Sequence, residues 1–334
     1  MPARSTEPQK PSYFLVSVST HQNLDLCIKY SLAGFLGGNS GAWTFCEIDE
    51  GDFISFLYGA RAHNLYRVDK KQAFRNANLL PPWPPLTFKE SGKTYSFPFR
   101  LSLVPFRVFT EPLVRTEFSY VAENLLLRGG YRKTHFQADQ TTLQSVSEMG
   151  TRATDSCEAL FLSEDTTFTP RFTRNPKLLN MPETCRFQET ILQSAIRRRL
   201  MHDDILQTLL TEINLPGVQA STMEILGEKA LTQGHIDLLL KERVPLGSAV
   251  KIPIEVKMNK AQSADVAQLR GYMDELRGES PIGLLIAATF SKDALANISD
   301  TRIKLLRYCL SADVKTACTF EEIWGGLTLE SLSK

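Results

Sequence analysis

Three ionisable residues interrupt an otherwise apolar part of this chain. They lie in "GHIDLLLKERVPLGSAVKIPIEVK", residues 234–257, where two apolar runs flank a Pro/Gly turn. The first run carries Asp237, and the second ends in Glu255-Val256-Lys257. Carboxylates are costly in apolar strands unless something compensates them. Strand residues two apart share a face, so Glu255 and Lys257 point together and Val256 turns to the core. An antiparallel turn through "KERVPLGSAVK" sets the Asp237 strand beside "PIEVK", with Asp237 near Glu255. Two adjacent carboxylates repel, which raises the pKa of one of them. A divalent cation resolves the conflict. Mg2+, with Mn2+ as a substitute, binds through one or two carboxylates and keeps waters for a phosphate. The expected ligands are Asp237, Glu255 and the Val256 carbonyl, with Lys257 acting on the attacking water. That layout predicts phosphodiester hydrolysis.

Such a site needs elements to hold it. "ETCRFQETILQSAIRRRLMHDD" predicts a helix with Phe187, Ile191, Leu192, Ala195 and Ile196 on one stripe and Glu189 near its start. "ADVAQLRGYMDELRG" predicts a later helix, where Gln268 and Tyr272 stand four apart on one face. "PIGLLIAATF" reads as a buried strand, and "DTRIKLLRYCL" closes the unit. Upstream, "YFLVSVS" predicts a strand and "NLDLCIKYSLAGF" a helix that stops at Gly34. "DEGDFISFLYGA", "NLYRVDKKQAF" and "YSFPFRLSLVPFRVF" supply strands. "NLLPPWPPLTF" is a proline-rich connection, with Trp83 packing the loop, and "SYVAENLLLRGGY" predicts a helix capped by Gly129. Residues 143–181 are rich in Ser, Thr and Asp and read as a linker.

The bulk numbers fit two domains in 334 residues. Hydrophobic residues make up 43%, enough for real cores. Lys+Arg total 38 against 37 Asp+Glu, which excludes an unspecific polycation but leaves room for local basic patches. None of the 6 cysteines forms a C-x-x-C pair, so they read as reduced, buried thiols of a cytoplasmic protein. No apolar run approaches the ~18–20 residues of a membrane span.

Asp237 followed by Glu255-x-Lys257 resembles the core of the PD-(D/E)xK nuclease superfamily. Glu189 on the preceding helix and Gln268-Leu-Arg-Gly-Tyr272 on the following one are similar to further motifs of its RecB-like members. The stretch also resembles the nuclease domain of NucS-type mismatch endonucleases, over about residues 183–312. Ile236 stands where many members have proline. The resemblance implies a mixed sheet flanked by helices over residues 182–330, with Asp237, Glu255, Lys257, Gln268, Tyr272 and Glu189 as the catalytic set.

Residues 12–142, with "YFLVSVSTHQNLDLCIKYSLAGF" and "IDEGDFISFLYGARAHNLYRV", resemble the YTH/EVE group of PUA-like domains. The resemblance implies a small β-barrel with helices that takes a modified base out of the stack. Ser19 and Asn23 match polar base contacts of that pattern. The cage tryptophan is replaced by Ala33-Gly34, so Phe35, Trp43 and Tyr58 are the candidate aromatic walls. Arg128, Arg132 and Lys133, beside His135, offer a phosphate-contact surface. The whole is then an α+β reader joined to an α/β cutter. It resembles a modification-dependent restriction endonuclease acting on double-stranded DNA with a modified base, methylated cytosine first, as a homodimer with no membrane partner. The rivals are a mismatch- or structure-specific endonuclease and a noncatalytic reader of modified nucleic acid.

Overall fold

The computed structural model describes residues 10–87, 92–113, 134–154, 158, 160, 162–181, 183–231, 234–244, 249–296 and 301–332. The apolar and aromatic runs of the N-terminal half form β1 (Tyr13–Ser17), β2 (Leu32–Phe35), β3 (Phe53–Tyr58), β4 (Arg61–Phe74), a small ribbon of β5 (Leu86–Thr87) with β6 (Thr94–Tyr95), β7 (Phe99–Val108) and β8 (His135–Ala138). The main sheet runs β2-β7-β4-β3-β1-β8. Only β1 and β3 run parallel along this path. Among the described residues the hydrogen-bonded path does not close from β8 to β2, so the expected small barrel is not part of the pairing.

Helix α1 (His21–Tyr30) starts where the Thr20 side chain accepts from the Asn23 N–H. It ends at Ser31, whose φ of 43° breaks the helix. Gly34 is therefore not the stop that the sequence suggested; it lies in β2. Its missing side chain admits Trp83, because a Cβ there would sit 2.4 Å from Trp83 Cζ3. Trp83 is buried beneath the Arg100 guanidinium, 4.8 Å from the ring centre. Helix α2 (Asn39–Glu47) was not expected, and its residues from Gly41 onward are all buried. A helix covered all round shows no amphipathic stripe.

The segment expected to be a linker is built into the sheets. It continues α3 (Gln140–Ser147), then supplies β9 (Thr151–Arg152) to β7 and β10 (Thr167–Phe168) to β4, followed by β11 (Arg171–Thr173). Next come β12 (Thr184–Arg186), α4 (Glu189–Leu200) and α5 (Asp203–Glu212), so the single long helix expected here is two. Then follow β13 (Met223–Leu231), β14 (Gly234–Glu242), β15 (Lys251–Ala261), α6 (Ser263–Leu276), β16 (Gly283–Phe290), α7 (Lys292–Ala296), β17 (Ile303–Leu310), β18 (Cys318–Thr319), α8 (Phe320–Gly325) and β19 (Leu327–Ser331). Their main sheet runs β13-β14-β15-β16-β17-β19, and β11 sits between β12 and β18 in a small sheet.

Ile191, Leu192, Ala195 and Ile196 of α4 are fully buried, as the stripe predicts. Each buried Ile or Leu contributes about 1.5–3 kcal/mol. The opposite side of α4 carries Arg197 to Glu47 of α2, with Nε 2.6 Å from Oε2. Ser194 Oγ donates to the other Glu47 oxygen at 2.5 Å. From β8, Gln137 accepts the Gly227 N–H at 2.8 Å and donates to the Ile225 carbonyl. These contacts seat the first sheet against β13 and α4. The predicted helix "SYVAENLLLRGGY" lies outside the described residues, as does Cys157. Cys27, Cys46 and Cys318 are buried; burial pushes the Cys27 thiol up to about 12.

Candidate active site

The β14–β15 ladder explains how Asp237 meets the second strand. Its register ends at Leu238 opposite Ile254. Beyond that pair the Val256 N–H donates to Asp237 Oδ2 at 2.8 Å. Two residues on, the Met258 N–H donates to Glu189 Oε2 at 2.7 Å. Amides two apart on a strand face the same edge. Two carboxylates thus line one edge of β15. The N–H and C=O of one strand residue also share an edge, which turns the Val256 carbonyl toward Asp237.

Glu255 is 1% exposed. Its Oε1 accepts from Lys257 Nζ at 2.6 Å, while its Oε2 is buried with no hydrogen-bond partner among the described residues. Lys257 also reaches Asp265 Oδ1 at 3.7 Å. Asp265 is held in turn by the Gln262 N–H at the start of α6. On the next turn of α6, Gln268 Nε2 donates to Tyr272 Oη at 2.8 Å. Tyr272 Oη donates to the His235 carbonyl at 2.7 Å. Gly234 is required there, since a Cβ would lie 2.8 Å from Tyr272 Oη. The i, i+4 pair therefore ties α6 to the start of β14, two residues before Asp237.

The electrostatics follow from this crowding. Burial, then the Glu255 charge, pushes the Asp237 carboxyl well above the usual carboxylate range. Burial also raises Glu255, against the hydrogen bond from Lys257. Burial alone would lower Lys257, but Glu255 outweighs it, so the amine is held above its ordinary value. Lys257 is an ammonium at neutral pH. It can donate hydrogen bonds to a water or a phosphate but has no lone pair to take a proton.

A divalent cation fits these residues. The orphaned Glu255 oxygen and two carboxyls raised by burial are what a bound cation would relieve. Among the described residues no group of three or more His, Cys, Asp or Glu is placed to hold a metal. A cation held only by Asp237, Glu255 and the Val256 carbonyl would have to fill the rest of its shell with water, as Mg2+ does.

The candidate base-binding residues are not gathered in this way. Phe35 is 3% and Trp43 6% exposed, and both belong to the hydrophobic core. They are not walls of an open cage. Tyr58 is half-buried and packs edge-on to His21, ring centres 5.9 Å apart. Ser19 is exposed; Asn23 is half-buried, with its N–H spent on the α1 cap. Buried His135 bonds Thr44 Oγ1 at 2.9 Å, with its ring 4.6 Å from that of Trp43. Arg128, Arg132 and Lys133 lie outside the described residues. Trp43 shares one small cavity with Asp237, lined also by Glu47, His135 and Gln193; it measures about 10 Å3, the scale of one water.

A larger cleft of about 850 Å3 lies elsewhere, between α2, β4, β10 and the start of α8. It contains none of the carboxylates above. Its cations are already paired: Lys70 with Glu164, Lys71 with Asp49 and Arg75 with Glu183. Arg174, Asp265 and Tyr308 also surround the β15 site and were not read from sequence. Only Asp265 left a local signal, a Gln-x-x-Asp box at the start of α6.

No protein-family model matches the chain, and no curated protein matches it. Among solved structures it is similar to a repair endonuclease from Pyrococcus abyssi, with 23% identity over 30% of this chain and 43% of that one and a TM-score of 0.22. It is similar to EndoMS in an EndoMS-dsDNA2 complex, with 21% identity over 30% and 40% of the two chains and a TM-score of 0.22. It is also similar to Rpa0253 from Rhodopseudomonas palustris, with 12% identity over 42% and 92% and a TM-score of 0.26. The aligned part spans about two fifths of the length of the first two.

Proposed function

We propose that this chain is a Mg2+-dependent endodeoxyribonuclease that hydrolyses phosphodiester bonds at Asp237, Glu255 and Lys257. One observation carries the reading: among the described residues the buried Glu255 has one oxygen on Lys257 and no partner for the other, and its charge helps raise Asp237. A buried charge left short of partners costs stability, and sites that do chemistry are where such costs persist. Bound Mg2+ would supply Lewis acidity and a more acidic water. Asp237, Glu255 and the Val256 carbonyl would hold it. The Lys257 ammonium orients the attacking water and stabilises charge on the phosphate. Gln268 and Tyr272 fix the start of β14, and Glu189 fixes the strand beyond Lys257.

The choice of DNA falls to the N-terminal sheet. In this reading it takes a modified base, methylated cytosine first, from double-stranded DNA. Cutting both strands needs two sites, hence a homodimer. A second reading, a mismatch- or structure-specific endonuclease, is favoured by the burial of Phe35 and Trp43, which removes two of the three candidate cage walls.

Cleavage of matched plasmids with Mg2+ separates these readings. The plasmids are unmodified or carry 5-methylcytosine, 5-hydroxymethylcytosine, N4-methylcytosine or N6-methyladenine. Cutting of one modified plasmid alone supports modification dependence and names the base. Equal cutting of all of them selects the structure-specific reading, to be followed with mismatched duplexes. No cutting with Mg2+ or Mn2+ refutes the nuclease and leaves a noncatalytic binder.

A further inference from the structure

Lys257 is already engaged by Glu255 and Asp265. A second cation, not shared with carboxylates, would hold a phosphate more firmly than Lys257 can alone. Arg174 stands beside the site, just past β11, on the strap that joins the two large sheets. Its Nη2 donates to the Met258 carbonyl at 3.3 Å and to Tyr308 Oη at 3.2 Å. Tyr308 Oη donates to the same carbonyl. The guanidinium lies over the Phe187 ring, 5.3 Å from its centre, and its Nε is buried with no hydrogen-bond partner.

Arg75, Arg197 and Arg198 are ion-paired with Glu183, Glu47 and Asp49. Among the described residues Arg174 makes no ion pair with a carboxylate. A partly desolvated cation without a counter-charge is costly. Arg100 also lacks an acid, but it is sealed in the core with two carbonyls and Trp83. Arg174 is half-buried and open to solvent beside Met258, whose N–H is held by Glu189.

We propose that Arg174 is the phosphate-binding residue of this site, its missing counter-ion being a backbone phosphate of the nucleic acid. The proposal rests on the nuclease reading. The planar guanidinium can offer two parallel N–H groups to phosphate oxygens, which an ammonium cannot. The contact to the Met258 carbonyl holds the Arg174 side chain on β15, at the residue after Lys257, before substrate arrives.

The test is steady-state cleavage with Mg2+ over a series of salt concentrations, for wild type, Arg174→Met, Arg174→Lys, Tyr308→Phe and Asp237→Asn. Arg174→Met is expected to raise KM about tenfold, the loss of one charge-assisted contact. It should also lower the salt slope of DNA binding by about one phosphate contact. Arg174→Lys restores part of both, and carries the test if the methionine variant does not fold. Tyr308→Phe removes a donor from the same carbonyl without removing charge, and leaves the salt slope unchanged. The proposal fails if Arg174→Met keeps the wild-type KM and salt slope, or if Tyr308→Phe reproduces its effect. Wild type that cuts while Asp237→Asn does not, with KM unmoved in Arg174→Met, sinks Arg174 alone. Wild type that cuts nothing sinks the nuclease reading and this one together.

Discussion

Glu47 and Glu255 are both buried glutamates, and their surroundings treat them in opposite ways. Burial would raise Glu47, but Arg197 and then His135 outweigh it, and the carboxyl is held below its usual range. Both of its oxygens have partners, Arg197 and Ser194. Glu255 has one partner and one orphaned oxygen, and burial keeps it raised. The first joins α2 to α4. The second sits on β15, where its charge helps raise Asp237. The compensated acid holds the fold together; the under-compensated one is the acid the proposed nuclease reading assigns to chemistry. Glu47 lines one small cavity with Asp237, the acid whose carboxyl the Glu255 charge helps to raise.

The contrast can be broken most forcefully at Glu47. Arg197→Met strands a buried carboxylate, and is expected to cost about 3–5 kcal/mol of stability. The midpoint of urea unfolding measures it. A loss below about 1 kcal/mol would mean that Arg197 is not what compensates Glu47.

A smaller effect is expected at Tyr272. Tyr272→Phe cuts the hydrogen bond to the His235 carbonyl and loosens the start of β14. Cleavage should slow about tenfold, which is about 1.4 kcal/mol of barrier, with about 1 kcal/mol of stability lost as the hydrogen bond goes. An unaltered rate in the same plasmid assay would remove Tyr272 from the site.

The smallest effect has the opposite sign. Asp237 is raised in the folded chain, so the folded state holds its proton more tightly than the unfolded state does. The stability it lends at low pH is lost as pH rises from about 4, the unfolded value, through the folded one. Asp237→Asn keeps an oxygen for the Val256 N–H and removes that loss. Without divalent metal, the variant should melt about 2 °C above wild type at neutral pH, and equal to it below about pH 4. Mg2+ should then raise the wild type alone, by mass action. A variant less stable than wild type at neutral pH without metal would contradict the under-compensated site.

The carboxylate pair was legible because charge inside apolar strands is costly and therefore informative. The short connection read between the two strands agrees with the antiparallel pairing of β14 and β15. Phe35 and Trp43 carried no such information, because burial is the default fate of an aromatic ring. Helix α2 escaped because its residues from Gly41 onward are all covered and its cap at Gly38 uses no side chain. The strap of residues 143–181 escaped because its strands are two or three residues long and pair with partners far away in sequence. Arg174 reaches Met258 across 84 residues for the same reason, and no local spacing reports it.

The most direct measurement compares wild type, Asp237→Ala and Glu255→Gln in one Mg2+ cleavage assay on plasmid DNA, with folding of each checked by thermal melting. The account predicts that wild type cuts and that both variants lose about 10^4-fold in rate while remaining folded, the several kcal/mol that a bound cation and its ligands supply to such a reaction. Equal cutting by all three, or wild type that cuts no plasmid with Mg2+ or Mn2+, would contradict it.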